Sequence, residues 1–285
     1  MSGDGSRLAL VLSGGGSKGA LQVGLYRALC ELEVRPDLIV ASSVGALNGA
    51  LIAAGVGPRT VAEGWRRTSR SELFRTDWSL LWRWTSAQGL FSGPHFRRFL
   101  DDHVPARTFE ELDIPLHIVA THLTSGEACR LSEGDLREAI HASCAVPGLL
   151  PPVALHGGVP HVDGSLGDNL PIAVARELGV RRILAMNCRT CDRCEVADPN
   201  LAQTLGRAFS IAADCTLRRM RERYGSDPDV LLLQPELGER IQALDFSQGA
   251  RLVEEGYRWA LPRIRGWVEE DGDTGRAEPR LETGG

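Results

Sequence analysis

Two short apolar runs, each followed by a tight turn of small residues and a helical pattern, restrict the folds open to this chain. The first run is Leu8–Leu12 and the second covers residues 38–41. Continuous apolar strands of this kind are buried on both faces, as in parallel sheets. The repeated order of strand, turn and helix predicts a three-layer α/β/α fold with a mostly parallel central sheet.

The rest of the chain adds elements of both kinds. Apolar runs predict strands at 116–121, 182–187 and 229–234, and a hairpin or edge segment at 153–162. Helical patterns cover 60–112, 136–144, 170–178, 202–224 and 250–269. Because no stretch resembles an interdomain linker, we expect one domain over residues 1–269. Residues 270–285 are rich in glycine and acidic residues and are expected to be a disordered tail.

The charge balance limits the partners. The 285 residues include 32 basic and 37 acidic side chains, for a net charge of −5, whereas nucleic-acid-binding chains show a basic balance or stripe. We therefore expect no nucleic-acid partner. No secretory signal is visible, and the uncharged stretch 38–58 contains polar residues, glycines and a proline that interrupt a membrane span. A cytoplasmic protein is expected.

The first turn is rich in glycine and allows three interpretations. Gly14, Gly16 and Gly19 match the G-x-G-x-x-G spacing of dinucleotide-binding loops. That function needs an acidic residue where the second strand ends, but Asp37 lies where it begins. Alternatively, consecutive glycines before a helix leave N–H groups available to an oxyanion, and Lys18, the one lysine of the chain, adds positive charge. A tight turn without a ligand is the third interpretation.

The second turn has the pattern of a nucleophile elbow. Such an elbow places a serine on a sharp strand-to-helix turn, with small residues two positions before and after it. Ala41 and Gly45 fill these positions around Ser43. The dipole of the following helix would stabilise an alkoxide on this serine. The alternative is that Ser42 and Ser43 are N-cap residues of that helix.

A serine nucleophile needs a base, and Asp163 is the candidate. It precedes Gly164 in a turn that follows an extended segment. A carboxylate within hydrogen-bond distance can take the hydroxyl proton directly. None of the seven histidines has a local sequence that singles it out, although His161 lies nearest to Asp163 in sequence. An ordinary turn is the alternative for the Asp-Gly pair.

Four sequence blocks stand in one order within residues 7–190. They are LALVLSGGGSKG at 8–19, ASSVGALNGA at 41–50, ASCAVPG at 142–148 with PPV at 151–153, and VDGS at 162–165 leading to DNLPI at 168–172. With these four blocks in this order, the chain resembles the patatin-like phospholipase family. One block alone would be weakly specific, whereas four in order are strongly specific.

The resemblance implies a catalytic dyad without a histidine, with Ser43 as the nucleophile and Asp163 as the base. The backbone N–H groups of Gly14, Gly15 and Gly16 would form the oxyanion hole, and Lys18 occupies the basic position of the family loop. The implied reaction is hydrolysis of an acyl ester through an acyl-enzyme on Ser43. The implied substrates are phospholipids, lysophospholipids and other acyl esters, and no cofactor is needed.

This chain departs from the family pattern at two positions. Ala41 stands where the elbow usually has glycine, and Ser165 stands where glycine or alanine is commoner. Neither change removes a reacting group, but both affect the geometry of the site. Two other functions therefore stay open, namely acyl transfer at the same site and a catalytically weak regulatory or binding role.

Half of the tryptophans fall within seven positions, at Trp78, Trp82 and Trp84. They lie in the segment 74–99, which also carries arginines, and this combination suits a membrane–water interface. The three tryptophans are therefore candidate lipid-facing residues of a lid in peripheral contact with a membrane. The alternative is that they pack in the core, which is the usual position of aromatic side chains.

Three cysteines, Cys188, Cys191 and Cys194, stand three positions apart just after a predicted strand. This spacing is compatible with a zinc or iron–sulfur site or with a redox pair. A zinc site would need a fourth ligand, such as Cys215 or a histidine. Because the hydrolase interpretation requires no metal, we expect none, and the cysteine cluster is the weaker alternative.

Overall fold

A computed structural model of the chain describes residues 7–73, 89–155, 157–188, 201–235, 237 and 241–273. Within these residues the centre of the molecule is one sheet of eight strands. In chain order they are β1 (Leu8–Leu12), β2 (Leu38–Ser42), β3 (Leu116–His122), β4 (Ala128–Leu131), β5 (Val153–Leu155), β6 (Val159–Val162), β7 (Arg182–Met186) and β8 (Val230–Leu233).

The helices lie on both faces of this sheet. They are α1 (Ala20–Glu31), α2 (Val44–Ala53), α3 (Pro58–Arg67), α4 (Arg70–Leu73), α5 (Gly93–His103), α6 (Leu136–Ser143), α7 (Ile172–Glu177), α8 (Leu201–Tyr224) and α9 (Gly249–Asp273). Short 3-10 turns stand at Gly16–Gly19, Phe109–Glu111, Gly164–Leu166 and Phe246–Gln248. In the part of the chain that is described, no helix combines the length and the apolar composition needed to cross a bilayer.

The sheet order is β5-β6-β3-β2-β1-β7-β8, with β4 paired to β3. Strands β3, β2, β1, β7 and β8 run parallel, and β4, β5 and β6 form the antiparallel end. The predicted mostly parallel sheet and the hairpin at 153–162 are confirmed. Strand β4 was not predicted, because only one of its four residues is buried and it has no apolar run.

Successive residues of the central strands point to opposite faces and enter two separate apolar cores. Leu10 and Leu12 of β1 pack with α1, α2 and α9, whereas Ala9 and Val11 pack with α7 and α8. All five residues of β1 are buried. A strand covered on both sides reads as a continuous apolar run, and this is why the sequence identified it.

Strands β2 and β6 meet end to end along one side of β3. Ser42, the last residue of β2, pairs with Val119 of β3, and Val162, the last residue of β6, pairs with Thr121. Strand β4 occupies the opposite side of the same stretch of β3. Because β2 and β6 run in opposite directions here, the turns that follow them leave the sheet at the same point. This topology brings residues 43 and 163 together.

One predicted region lies partly outside the described residues, and another differs from the structure. The segment 60–112, predicted to be mostly helical, contains α3, α4, α5 and a 3-10 turn, and Trp78, Trp82 and Trp84 lie outside the described residues. The last helix continues to Asp273, four residues beyond its predicted end at position 269. Adding residues to a formed helix costs little, so the acidic residues there do not end it. Residues 274–285 of the expected tail lie outside the described residues.

Helices α1 and α9 approach each other closely through two glycines. A Cβ on Gly24 of α1 would lie 2.2 Å from the carbonyl oxygen of Val253, and a Cβ on Gly256 of α9 would lie 2.3 Å from that of Leu21. Both obstacles are backbone atoms, which cannot rotate away. The contact therefore requires hydrogen in place of a side chain at both positions.

We expect Gly256→Ala to lower the free energy of unfolding by about 1–3 kcal/mol, because the added methyl group overpacks this contact. Gly266→Ala in the same helix is the matched control, since a Cβ there would have no atom within 4 Å. This second change should be neutral or stabilising by up to about 1 kcal/mol, the gain expected for alanine in a helix. Urea unfolding of both variants measures the difference, and equal destabilisation would contradict the packing argument.

Candidate active site

Ser43 lies between β2 and α2 in a strained backbone conformation, with φ 54° and ψ −128°. A positive φ is rare for residues other than glycine and is typical of functional turns. The side chain makes no N-cap hydrogen bond to α2, so the N-cap interpretation is not supported for this residue. The residue is buried but keeps 8% of its surface exposed.

Close steric contacts explain why the residues around Ser43 are small. A Cβ on Gly45 would lie 2.5 Å from the carbonyl oxygen of Leu12, so this position needs glycine. Ala41 is fully buried, and a Cβ on Gly49 would lie 3.3 Å from its methyl group. Gly49 therefore leaves room for the methyl group that distinguishes Ala41 from the commoner glycine.

Asp163 lies directly opposite Ser43 and is fully buried. The Ser43 hydroxyl donates to Asp163 Oδ2 at 2.6 Å, a length typical of a bond to an ionised carboxylate. The other oxygen, Oδ1, accepts the N–H of Ser165 at 2.8 Å. Two residues that are 120 positions apart in the chain are thus in direct contact, and no imidazole lies between them.

The backbone of Asp163 is held on both sides. Its N–H donates to the carbonyl oxygen of Ala145 at 2.9 Å, and its carbonyl oxygen accepts the Thr121 hydroxyl at 2.8 Å. A Cβ on the following residue, Gly164, would lie 2.0 Å from the carbonyl oxygen of Val119. Only glycine lets the turn after Asp163 pass this close to β3.

His161 does not lie between Ser43 and Asp163, whose hydrogen bond is direct. Its ring is buried, its Nδ1 lies 2.9 Å from the carbonyl oxygen of Val159 in the same strand, and its edge faces the ring of His122. The hydrogen bond between Ser43 and Asp163 therefore does not pass through the histidine that lies nearest to Asp163 in sequence.

The glycine-rich loop lies beside the serine, but its three N–H groups are not equivalent. The N–H of Gly14 donates to Asn169 Oδ1 at 3.1 Å, so one of the three N–H groups expected to form an oxyanion hole already has an acceptor within the chain. The N–H groups of Gly15 and Gly16 have no acceptor among the described residues. A Cβ on Gly14 would lie 2.9 Å from the Ser43 Cβ, which shows how near the loop comes to this serine.

A hydrogen-bond network of buried polar side chains supports this loop. Gln22 donates to the Ser13 carbonyl oxygen at 2.7 Å, and the Ser13 hydroxyl donates to that of Gly14 at 2.8 Å. Asn48 donates to the Gln22 side chain at 2.8 Å and accepts the Trp65 indole N–H at 3.0 Å. Buried polar groups that are fully hydrogen-bonded fix a single arrangement, so the loop is held in one position.

Lys18 and Cys188 lie close to the same loop, and both are buried. Burial raises the pKa of the Cys188 thiol to about 12, although Gln22, the charge of Lys18 and Ser13 act to lower it. A thiol with so high a pKa is protonated at neutral pH. Cys191 and Cys194 lie outside the described residues, and the described residues contain no group of three His, Cys, Asp or Glu side chains that could hold a metal ion.

Several residues that hold the site had no role in the sequence analysis. Asn169 binds Gly14, Ser143 accepts the N–H of Ser43 at 2.8 Å, and Ala145 binds Asp163. Asn169 and Ser143 lie within two of the four sequence blocks, but their partners are 155 and 100 positions away. Membership of a block was the available signal, whereas no local pattern indicated the partners.

The structure thus defines an α/β protein that carries a serine on a strand–turn–helix elbow, in direct contact with a buried aspartate. Residues 10–176 match the sequence profile of the patatin-like phospholipase family. The chain belongs to this family.

Two relatives illustrate the extent of the similarity. Patatin-like phospholipase domain-containing protein 7 of Mus musculus is 32% identical over 292 aligned positions, which cover 93% of this chain and 21% of that protein. Lysophospholipase NTE1 of Mycosarcoma maydis is 29% identical over 295 aligned positions, which cover 93% of this chain and 15% of that protein. The chain spans about a fifth or less of the length of these curated relatives.

The fold is also similar to that of a solved structure. The crystal structure of VipD from Legionella pneumophila matches with a TM-score of 0.50 and 14% identity, and the match covers 91% of this chain and 67% of that one. At this level of identity the similarity concerns the fold alone.

A pH-dependent contribution to stability is expected from Asp168, next to Asn169. Burial raises the pKa of its carboxyl to about 6, from 3.8 in the unfolded chain. Between these values the folded chain binds a proton that the unfolded chain has lost. The stabilisation is complete below pH 4 and is lost as pH rises through 6, by about 2–3 kcal/mol in total. Denaturant unfolding at pH 4 to 7 measures this, and Asp168→Asn should remove the dependence; an unchanged pH profile in this variant would contradict it.

Proposed function

We propose that this chain is a serine lipid acyl hydrolase of the phospholipase, lysophospholipase or esterase type. The observation that carries the proposal is the 2.6 Å hydrogen bond from the Ser43 hydroxyl to Asp163 Oδ2. Membership of the patatin-like phospholipase family supports a lipid substrate. The name of one relative, lysophospholipase NTE1, supports the same substrate class.

In the acylation step, Ser43 Oγ attacks the carbonyl carbon of the ester while its proton moves to Asp163 Oδ2. A hydroxyl alone is a weak nucleophile at neutral pH, and an adjacent base overcomes this. The tetrahedral intermediate then collapses, the bond to the alcohol oxygen breaks, and that oxygen takes the proton from Asp163. The acyl group remains on Ser43 as an ester, and Asp163 is again a carboxylate.

The oxyanion of this intermediate is stabilised by the glycine-rich loop. The N–H groups of Gly15 and Gly16 are the available donors, while Gly14 keeps the loop in place through Asn169. Donors that are fixed before the reaction lower its barrier, since they need no reorganisation when the charge develops. The positive charge of Lys18, in the same loop, adds to this stabilisation.

Deacylation repeats the sequence with water as the nucleophile. Asp163 accepts a proton from the water as its oxygen attacks the acyl carbon, and the second tetrahedral intermediate expels Ser43 Oγ. That oxygen recovers the proton from Asp163, and the free fatty acid leaves. One carboxylate thus serves as base and acid in both halves of the reaction. To reach a lipid substrate, the protein must contact a lipid surface, and we propose that this contact with the membrane is peripheral.

We expect one covalent adduct on the wild-type chain after treatment with a fluorophosphonate, detected by intact-mass analysis, and none on Ser43→Ala. Asp163→Asn should react about 10²- to 10⁴-fold more slowly, because the base is lost. Ser42→Ala is the matched control, since the Ser42 hydroxyl is buried and has no hydrogen-bond partner among the described residues. It should be labelled like the wild type. Release of fatty acid from lysophosphatidylcholine by the same four proteins tests the substrate class.

An adduct that persists in Ser43→Ala would overturn the role of Ser43. A folded wild-type chain that neither reacts with the probe nor releases fatty acid would favour the regulatory or binding role instead.

A further inference from the structure

Ser143, the last residue of α6, makes two hydrogen bonds that link the nucleophile to the sheet. Its hydroxyl oxygen accepts the N–H of Ser43 at 2.8 Å, and its proton goes to the carbonyl oxygen of Val119 in β3 at 2.6 Å. The residue is fully buried. Its hydroxyl therefore has a fixed orientation, because one of its lone pairs accepts a hydrogen bond and its single proton is donated in another.

The hydrogen bond to Ser43 acts on the strained residue itself. The paired register of β2 with β3 ends at Ser42, so the N–H of Ser43 lies just beyond this ladder, and a buried N–H without an acceptor is costly. Ser143 supplies that acceptor from another helix. Because α6 and β3 are both parts of the rigid scaffold, the bond fixes the orientation from which the Ser43 hydroxyl points at Asp163.

The same short segment also holds the other member of the dyad. Two residues after Ser143, the carbonyl oxygen of Ala145 accepts the N–H of Asp163 at 2.9 Å. Residues 143–145 thus contact the backbone of Ser43 at one end and that of Asp163 at the other. The spacing between the two reacting side chains depends on this segment as well as on the sheet.

We infer that Ser143 is a positioning residue of the dyad, which keeps Ser43 in its strained conformation and its hydroxyl in line with Asp163. The inference rests on the proposed function, because it assumes that Ser43 is the nucleophile. Ser143 does not touch the reacting atoms. Its effect should therefore appear in the rate of covalent reaction at Ser43 and not in the binding of a ligand.

The test measures the reaction of Ser43 with a fluorophosphonate at several probe concentrations, which separates the maximal rate of modification from the apparent dissociation constant. In Ser143→Ala the maximal rate should fall about 10- to 100-fold, the cost of a small misplacement of reacting groups. The apparent dissociation constant should stay the same. Ser143→Thr keeps the hydroxyl and should recover most of the rate.

Ile140→Val is the matched control, because Ile140 is also fully buried in α6 and the change removes one methylene from the core. It should react at the wild-type rate, and a thermal unfolding curve for each variant shows that it is folded. If Ser143→Ala does not fold, Ser143→Cys takes its place, since a thiol has nearly the same shape and is a weak donor and acceptor. Its maximal rate should fall in the same way.

Wild-type rates in a folded Ser143→Ala or Ser143→Cys variant would overturn the inference and leave the proposed function intact. An equal loss of rate in Ile140→Val would also overturn it, because the effect would then be a general one of core packing. A wild-type chain that is not labelled at Ser43 would instead overturn the proposed function, and this inference with it.

Discussion

The carbonyl oxygen of Val119 in β3 is the point on which both halves of the site depend. The Ser143 hydroxyl that holds Ser43 donates to this oxygen, and the glycine after Asp163 passes so close to it that no side chain fits. Along one side of β3, strand β2 ends opposite Val119 and strand β6 ends opposite Thr121. One carbonyl group in the middle of a rigid sheet thus sets where the side chains of Ser43 and Asp163 leave the backbone. Displacing this strand would displace both of them together.

The parts of the site that depend on local geometry could be predicted from the sequence. A buried strand, a turn of small residues and a helix specify where Ser43 lies, since each is visible within about ten residues. The fold class followed from the same local patterns. The partner residues could not be found in this way, because Asn169 and Ser143 act on residues 155 and 100 positions distant. The hydrogen bond from the Gly14 N–H to Asn169 is one of these long-range contacts, and no local pattern indicated it.

The strained backbone conformation of Ser43 is stabilised by the residues around it. The conformation of this residue is unfavourable for any side chain other than hydrogen, and states of this kind persist only where the surroundings determine them fully. Here they include the hydroxyl of Ser143, the carboxylate of Asp163 and the close packing of Gly45 on β1. The glycine-rich loop is held similarly, by the buried hydrogen-bond network of Ser13, Gln22, Asn48 and Trp65. Reactive geometry is thus obtained from a scaffold that is rigid on every side described.

The contact between α1 and α9 has a consequence for how the chain is made. These helices come from opposite ends of the described sequence, and ribosomes release the N-terminal one first. The apolar side of α1 therefore stays without its glycine-lined partner until residues 249–273 have been synthesised. Closing so long a loop is slow, and exposed apolar surface invites aggregation in the meantime. The nascent chain should consequently depend on chaperones until α9 has emerged, and a ribosome stalled before that point would carry an incomplete core.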